Sequence, residues 1–288
     1  MEIEKDRPLF SIIVVTLNPG DKLLKTIESI RTQVCRDYQV VVKDGGSKDG
    51  SLDELKKMRE AGLGGADRDF WNLVDICREP DKSIYEGMNQ ATKYANGQYF
   101  YFLNCGDYFY DEKVLERLKQ EIGGSEQTGK PVAPRIFYGD IYDALRDVRV
   151  ASNPRIDGFG CYRNVPCHQA CIYDAALFQE RGYEPKYRVR GDYEHFLWCF
   201  YVKKATTVYL PMMIASYEGG GFSETKENRR RSAAEHREIT AKYMTPGELF
   251  RYRSILLLTL SPLRTKMAES PVMSGVYNKA KRLLYSRK

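Results

Sequence analysis

Residues 38–51, YQVVVKDGGSKDGS, decide how the rest of the chain is read. Val40, Val41 and Val42 form a short β-branched run suited to a strand buried on both faces, and the strand runs into Asp44, Gly45, Gly46 and Ser47. A carboxylate is thereby held at the C-terminal edge of a strand, the place where ligands bind in open α/β sheets. Gly45 and Gly46 permit close backbone approach, and Asp49 with Ser51 supplies a cap for a helix continued by Leu52, Leu55 and Met58.

Working outward, residues 9–17, LFSIIVVTL, read as a first, central strand, followed by a helix with Leu23, Leu24, Ile27, Ile30 and Val34 on one face. The order is β-α-β, yet the first turn is Asn-Pro-Gly-Asp. No G-x-G-x-x-G and no GxxxxGK[ST] loop is present, which argues against hydride transfer and P-loop chemistry. A strand is expected over residues 73–77. After it comes a helix with Tyr85, Met88, Ala91, Thr92 and Ala95 on a buried face, its first turn, with Lys82 just ahead, an anion seat. Residues 98–103, QYFYFL, form a further strand ending in Asn104, Cys105, Gly106 and Asp107. A second carboxylate thus stands at a strand's C-terminal edge, and in a parallel sheet Asp44 and Asp107 open on one crevice. One or two carboxylates plus substrate phosphates are the usual holders of Mg²⁺ or Mn²⁺. Residues 112–122 read as a helix, 136–142 as a strand and 151–169 as an irregular wall. A helix carrying Asp192 in its first turn and Phe196, Leu197, Phe200 and Tyr201 on its apolar face begins at Gly191.

The 288 residues suffice for one large domain with an appendage. The charged start reads as neither a signal nor a transit peptide, and the aliphatic cluster at 255–260 is too short to span a bilayer. A cytoplasmic chain is expected. Seven cysteines without C-x-x-C fit reduced thiols, and the spacing of Cys161, Cys167, His168 and Cys171 matches no zinc pattern. Net charge is +6 but unevenly placed: residues 226–288 hold 15 Lys and Arg against 5 Asp and Glu, net +10, leaving 30 against 34, net −4, in residues 1–225.

Together these segments resemble the family 2 glycosyltransferases, inverting enzymes of the GT-A fold, in particular those of bacterial surface-polysaccharide assembly. The matching pieces are VVTLN at 14–18, DGGSKDGS at 44–51, EPDKSIYEGMNQA at 79–91, FLNCGD at 102–107, HQA at 168–170, GDYEHFL at 191–197 and GGGFS at 219–223. They come in the family's order. The resemblance implies an α/β, Rossmann-like nucleotide-diphospho-sugar transferase domain over residues 1–225, with a mostly parallel sheet flanked by helices, and a basic, amphipathic helical C-terminal extension over 226–288.

It further implies metal-dependent transfer of a sugar from a nucleotide-diphosphate sugar, a UDP-sugar by expectation, to a hydroxyl of a glycan or polyprenyl-linked acceptor. Asp44 would read the base, with Thr16, Asn18 and Asp81 in the same pocket and Lys82 and Asn104 beside the donor. Asp107 corresponds to the last Asp of the family's D-x-D element, the first being absent, and would hold Mn²⁺ or Mg²⁺. Asp192 matches the catalytic base, a carboxylate placed to take a proton from the attacking hydroxyl. His168, Gln169 and Glu194 fall on the acceptor side. The tail interleaves Phe250, Ile255, Leu258 and Leu260 with Arg251, Arg253, Arg264 and Lys266, and carries Val276, Leu283 and Leu284 beside Lys279, Lys281 and Arg282. This pattern fits either peripheral contact with an anionic inner membrane face or packing on the domain or on a second copy in a homo-oligomer. A nucleic-acid partner is not expected, because the tail has no recognised motif or aromatic platform. The alternative to an enzyme is a nucleotide-sugar-binding scaffold of the same fold.

Overall fold

Seven consecutive buried residues make β1 (Phe10–Thr16), and β2 (Tyr38–Asp44), nearly as buried, lies beside it in parallel, Thr16 opposite Asp44 at their ends. The computed structural model describes residues 7–125, 133–217 and 225–259. Helix α1 (Lys22–Arg31) joins the two strands, burying Leu23, Ile27 and Ile30. Val34, expected on that face, is instead half-exposed: the helix has already ended, and the Val34 N–H turns away to the Glu112 carbonyl at 2.8 Å.

The chain continues through α2 (Ser51–Leu63), α3 (Arg68–Trp71), β3 (Val74–Arg78), α4 (Ile84–Thr92) and β4 (Tyr99–Phe102). β3 pairs with β2, and β4 with the other side of β1, all in parallel. The C-terminal ends of β1, β2 and β4 therefore share one edge, which puts the turns after Thr16, Asp44 and Phe102 next to one another.

A mixed region follows: β5 (Tyr108–Phe109), α5 (Val114–Ser125), β6 (Arg135–Asp143), β7 (Val148–Val150), α6 (Gly158–Arg163), a 3₁₀ turn at His168–Ala170, β8 (Cys171–Asp174), α7 (Ala176–Glu180), α8 (Gly191–Tyr201) and β9 (Thr206–Tyr217). The nine-stranded sheet runs β3-β2-β1-β4-β8-β6-β9-β5, with β7 on β6. β8 is antiparallel to both β4 and β6, whereas β9 is parallel to β6. The β6–β9 register slips between Tyr138 and Asp140. Pro211 in β9 has no N–H for a ladder, and a Cβ on Gly139 would lie 2.6 Å from the Met212 carbonyl, so glycine is needed where the strand bulges.

Two compact units are distinguished, Met1–His236 and Arg237–Lys288. The division falls within α9 (Lys226–Tyr243), so residues 226–236 belong to the first unit. In the second, α10 (Pro246–Leu258) opens with a capping box in which Thr245 and Glu248 satisfy each other's backbone N–H groups. Among the described residues no helix is long and apolar enough to cross a membrane. Residues 219–223 and those from Leu260 onward, Arg264, Lys266, Val276 and Leu283 included, lie outside the described residues.

Candidate active site

The shared edge of β1 and β4 opens into a cleft of about 640 Å³, walled on its far side by residues 164–169, by the loop ahead of α8 and by the first turn of α8. Six of the residues singled out in the sequence line it: Thr16, Asn104, Asp107, His168, Gln169 and Asp192.

The turn carrying Asp107 is built by its neighbours. Gly106 has φ 101°, a conformation glycine adopts without strain, and the Asp107 N–H closes the turn on the Asn104 carbonyl at 2.9 Å. Thr26 of α1 clamps it from below: its hydroxyl accepts from the Gly106 N–H (2.9 Å) and donates to the Asp107 carbonyl (3.0 Å). The Asp107 carboxylate accepts from the Gln169 amide at 2.9 Å, and Gln169 in turn accepts from the Cys167 thiol at 3.0 Å. Gln169 is thus tied to the acidic turn across the cleft. Buried Asn104 Oδ1 has no hydrogen-bond partner among the described residues.

Asn104 and Asp107 offer oxygen donors at one place, and a buried unpaired amide oxygen calls for a positive group or donor. No cluster of three or more His, Cys, Asp or Glu side chains among the described residues is arranged to hold a metal. One carboxylate with a neutral oxygen fits an ion of the magnesium or manganese type that completes its shell from a diphosphate. Cys105 does not replace the absent first Asp: burial pushes its thiol up to about 11, only partly offset by the nearby Thr16 hydroxyl, so it stays protonated.

Asp192 stands in the first turn of α8, where its Oδ1 accepts from the Tyr85 hydroxyl at 2.8 Å. Burial, and then the charge of Asp192, raise the Tyr85 phenol well above its ordinary value, so it remains a donor. A Cβ on Gly191 would come within 2.7 Å of the Tyr85 ring, so glycine here lets α8 lie against α4. His168 stacks on Phe102, with ring centroids 5.2 Å apart. Its Nε2 is 3.4 Å from the Tyr183 hydroxyl. Burial lowers its pKa, partly offset by Asp192, which leaves a neutral imidazole at the cleft wall.

The other expected residues lie apart from the cleft. Asp44 is fully buried and held mainly by its own turn, accepting from the Gly46 and Ser47 N–H groups at 2.9 Å and from the Ser47 hydroxyl, with the Arg78 Nε 3.4 Å from its carboxylate. Asn18, at φ 48°, accepts from the Lys48 N–H, and its own N–H donates to Ser47, both at 2.8 Å; Asp49 receives the Gly20 N–H at 2.8 Å. These bonds lace the turns after β1 and β2 together. Asp81 pairs with Lys43, a fully buried ammonium that reasoning from sequence passed over as part of the strand. A Cβ on Gly45 would stand 2.6 Å from the Asp81 carboxylate, so Gly45 makes room for this pair. The N-terminus of α4 has a carboxylate of its own: Glu86 accepts from the Lys82 N–H at 2.8 Å, and the Lys82 side chain is exposed. Glu194, expected on the acceptor side, is fully buried and paired with Arg181. Two helical positions on from Asp192, its side chain leaves on the opposite face.

The family model described as Glycosyl transferase family 2 matches residues 11–160. The chain belongs to glycosyl transferase family 2. A PGL/p-HBAD biosynthesis glycosyltransferase of Mycobacterium bovis is 33% identical over 220 residues, 76% of this chain and 80% of that protein. An Escherichia coli protein named UDP-Glc:alpha-D-GlcNAc-diphosphoundecaprenol beta-1,3-glucosyltransferase WfaP is 26% identical over 110 residues, 38% of this chain and 40% of its own. In fold, this glycosyltransferase resembles the mannosyltransferase PcManGT of Pyrobaculum calidifontis, solved with GDP-Man and Mn²⁺. The TM-score is 0.63 at 15% identity, covering 97% of this chain and 81% of that one. The fold is GT-A, and the family 2 enzyme is a glycosyltransferase whose homologues act in glycan and lipid-linked polysaccharide biosynthesis.

Proposed function

We propose that this glycosyltransferase transfers a sugar with inversion from a UDP-sugar to a hydroxyl of a polyprenyl-linked glycan, with Asp192 as general base. The observation carrying the reading is that Asp192 and Asp107 line one cleft, each oriented by a partner from another segment, Tyr85 and Gln169. A hydroxyl held near His168 and Gln169 would lose its proton to Asp192 as it attacks the anomeric carbon, and a single displacement inverts that centre. The nucleoside would lie along Thr16 and the laced turns at Asn18 and Asp44, backed by Asp81, with Lys82 at the rim. Asp107 and Asn104 would hold Mn²⁺ or Mg²⁺ with the diphosphate, and a bound ion of this kind offsets the charge of the departing nucleotide.

The lipid-linked acceptor is supported by the likeness to WfaP and by α10, where Phe250, Leu257 and Leu258 are 75%, 68% and 83% exposed beside exposed Arg251 and Arg253. Basic and apolar groups together suit an anionic membrane surface.

The test is calorimetric titration of UDP and GDP, with and without Mn²⁺, into wild type and Asp107→Ala, followed by transfer from UDP-glucose. Binding of UDP strengthened by Mn²⁺, with that gain lost in Asp107→Ala, is the expected result. Binding without turnover would favour the scaffold reading, and tighter binding of GDP would overturn the assigned base. Flotation with vesicles containing anionic lipid, beside size-exclusion chromatography, separates membrane contact at α10 from self-association.

A further inference from the structure

The loop that presents Asp192 has an unusual holder. Glu235, on α9 and outside the segment matched by the family model, is nearly buried, and its carboxylate accepts three consecutive backbone N–H groups: Arg188 at 2.9 Å, Val189 at 3.0 Å and Arg190 at 2.8 Å. Three successive amides converging on one anion form a nest, and charge-assisted bonds of this kind are stronger than neutral ones. Arg190 is the residue immediately ahead of α8, and Asp192 is the second residue of that helix.

The same stretch of α9 grips the other side of the turn. Arg190 Nε donates to the Ser232 hydroxyl at 2.7 Å and to its carbonyl at 3.1 Å. His236 stacks on Tyr193, with centroids 5.3 Å apart and planes 25° apart, and its Nε2 donates to the Tyr162 carbonyl at 2.8 Å. The residues flanking Asp192 are therefore fixed by Ser232, Glu235 and His236, one face of a helix at i, i+3 and i+4. The Val189 carbonyl also lies 3.0 Å from the Tyr85 hydroxyl that donates to Asp192. Moving the turn would move both acceptors that meet this hydroxyl.

We infer that Glu235 is a positioning residue: by holding the amides of residues 188–190 it sets where the Asp192 carboxylate stands in the cleft. The inference rests on Asp192 acting as the base. Glu235 touches no reacting atom, so its loss acts through geometry, and misplacement of a reacting group by about 1 Å costs roughly a hundredfold.

The experiment compares full-length wild type, Glu235→Ala and Glu235→Gln in three measurements: amide hydrogen exchange over residues 186–193, UDP binding with Mn²⁺, and UDP release from UDP-glucose and UDP-N-acetylglucosamine with water as acceptor. In Glu235→Ala, exchange at 188–190 is expected to rise at least about tenfold and kcat to fall about 10- to 100-fold, with the UDP dissociation constant changed less than about twofold. Glu235→Gln, which keeps one acceptor oxygen, falls between. In an Asp192→Asn background, Glu235→Ala is expected to cost nothing further. Unchanged exchange, or a loss of UDP binding and thermal stability in proportion to the loss of kcat, overturns the proposal. A wild type that binds but releases no UDP from either sugar sinks the assignment of the base and the positioning role with it, while exchange still reports whether Glu235 holds the turn.

Discussion

The two walls of the cleft are built on different terms. On the wall formed by the ends of β1 and β4, and in the turn after β2 beyond it, short-range bonds do much of the work: Asp44 binds residues two and three further on, and the Asp107 N–H closes back on the Asn104 carbonyl, with Thr26 and Gln169 as the longer-range holders of Asp107. On the wall that carries Asp192, the holding contacts come from far along the chain, Tyr85 at a separation of 107 residues and Glu235 at 45 to 47. The turns at the strand ends are closed in part by their own backbone, whereas the turn ahead of Asp192 is held by side chains from α4 and α9. Binding and turnover are therefore expected to fail separately when each wall is altered.

The largest expected effect breaks the comparison at its sharpest point. Asp192→Asn keeps the size of the side chain and the Tyr85 contact but removes the basic oxygen. Transfer is expected to fall by about 10²- to 10⁴-fold, the contribution typical of a positioned base, with UDP affinity changed less than about twofold. Steady-state rates beside calorimetry on one preparation decide the matter, and a comparable loss of UDP affinity would put Asp192 on the donor wall.

Acid should find the second wall before the first. His195 is fully buried in an aromatic group with Phe178, Tyr183 and Trp198, stacked at 4.3 Å on Phe178. Burial first, then the Arg181 charge and the neighbouring His168, push it down from 6.5 to about 3. Between those values the unfolded chain binds the proton and the folded chain does not, so stability present above about pH 6.5 is lost as pH falls toward 3. At pH 5 the loss from this one group is on the order of 2 kcal/mol. His168 shifts in the same direction and adds to it. Urea unfolding at pH 7 and pH 5 measures this, and His195→Phe, which keeps a ring against Phe178, is expected to flatten the dependence. An equally steep dependence in that variant would place the acid-sensitive group elsewhere.

The contrast between the walls also explains what was legible in the sequence. β1, β2 and β4 announce themselves because burial on both faces demands unbroken apolar runs, and Asp107 stands out where such a run meets Asn-Cys-Gly. β9 does not, because Pro211 interrupts it and its burial alternates irregularly, and β8 is four residues long. Tyr85 is read as core from its spacing with Met88 and Ala91, and it is indeed buried; that its hydroxyl meets Asp192 is a fact of the tertiary structure that no local pattern carries. Glu194 is expected on the acceptor side, two residues on from Asp192, and helical geometry sends it to Arg181 instead. Glu235 gives no signal, since one Glu among the charged residues of a basic, polar helix resembles a solvated residue until the loop it receives is in place.

The smallest effect tests whether the two walls meet in one residue. Tyr85→Phe removes a hydroxyl that both burial and the Asp192 charge keep protonated, so the bond to Asp192 is present throughout the working pH range. The ring remains to pack on Gly191, which limits the damage to the hydrogen bond. A bond to a charged group contributes about 1.5–3 kcal/mol, and with water able to replace part of it kcat is expected to fall about tenfold, UDP binding being unchanged. Tyr85 reaches Asp192 from α4, and Glu235 fixes the turn ahead of it from α9. If both serve the placing of one carboxylate, then the combined Tyr85→Phe, Glu235→Ala variant loses less than the product of the two single losses, because a base already displaced has less left to lose. Losses that simply multiply would mean that the two contacts act on separate steps, and the second wall would then be two devices rather than one.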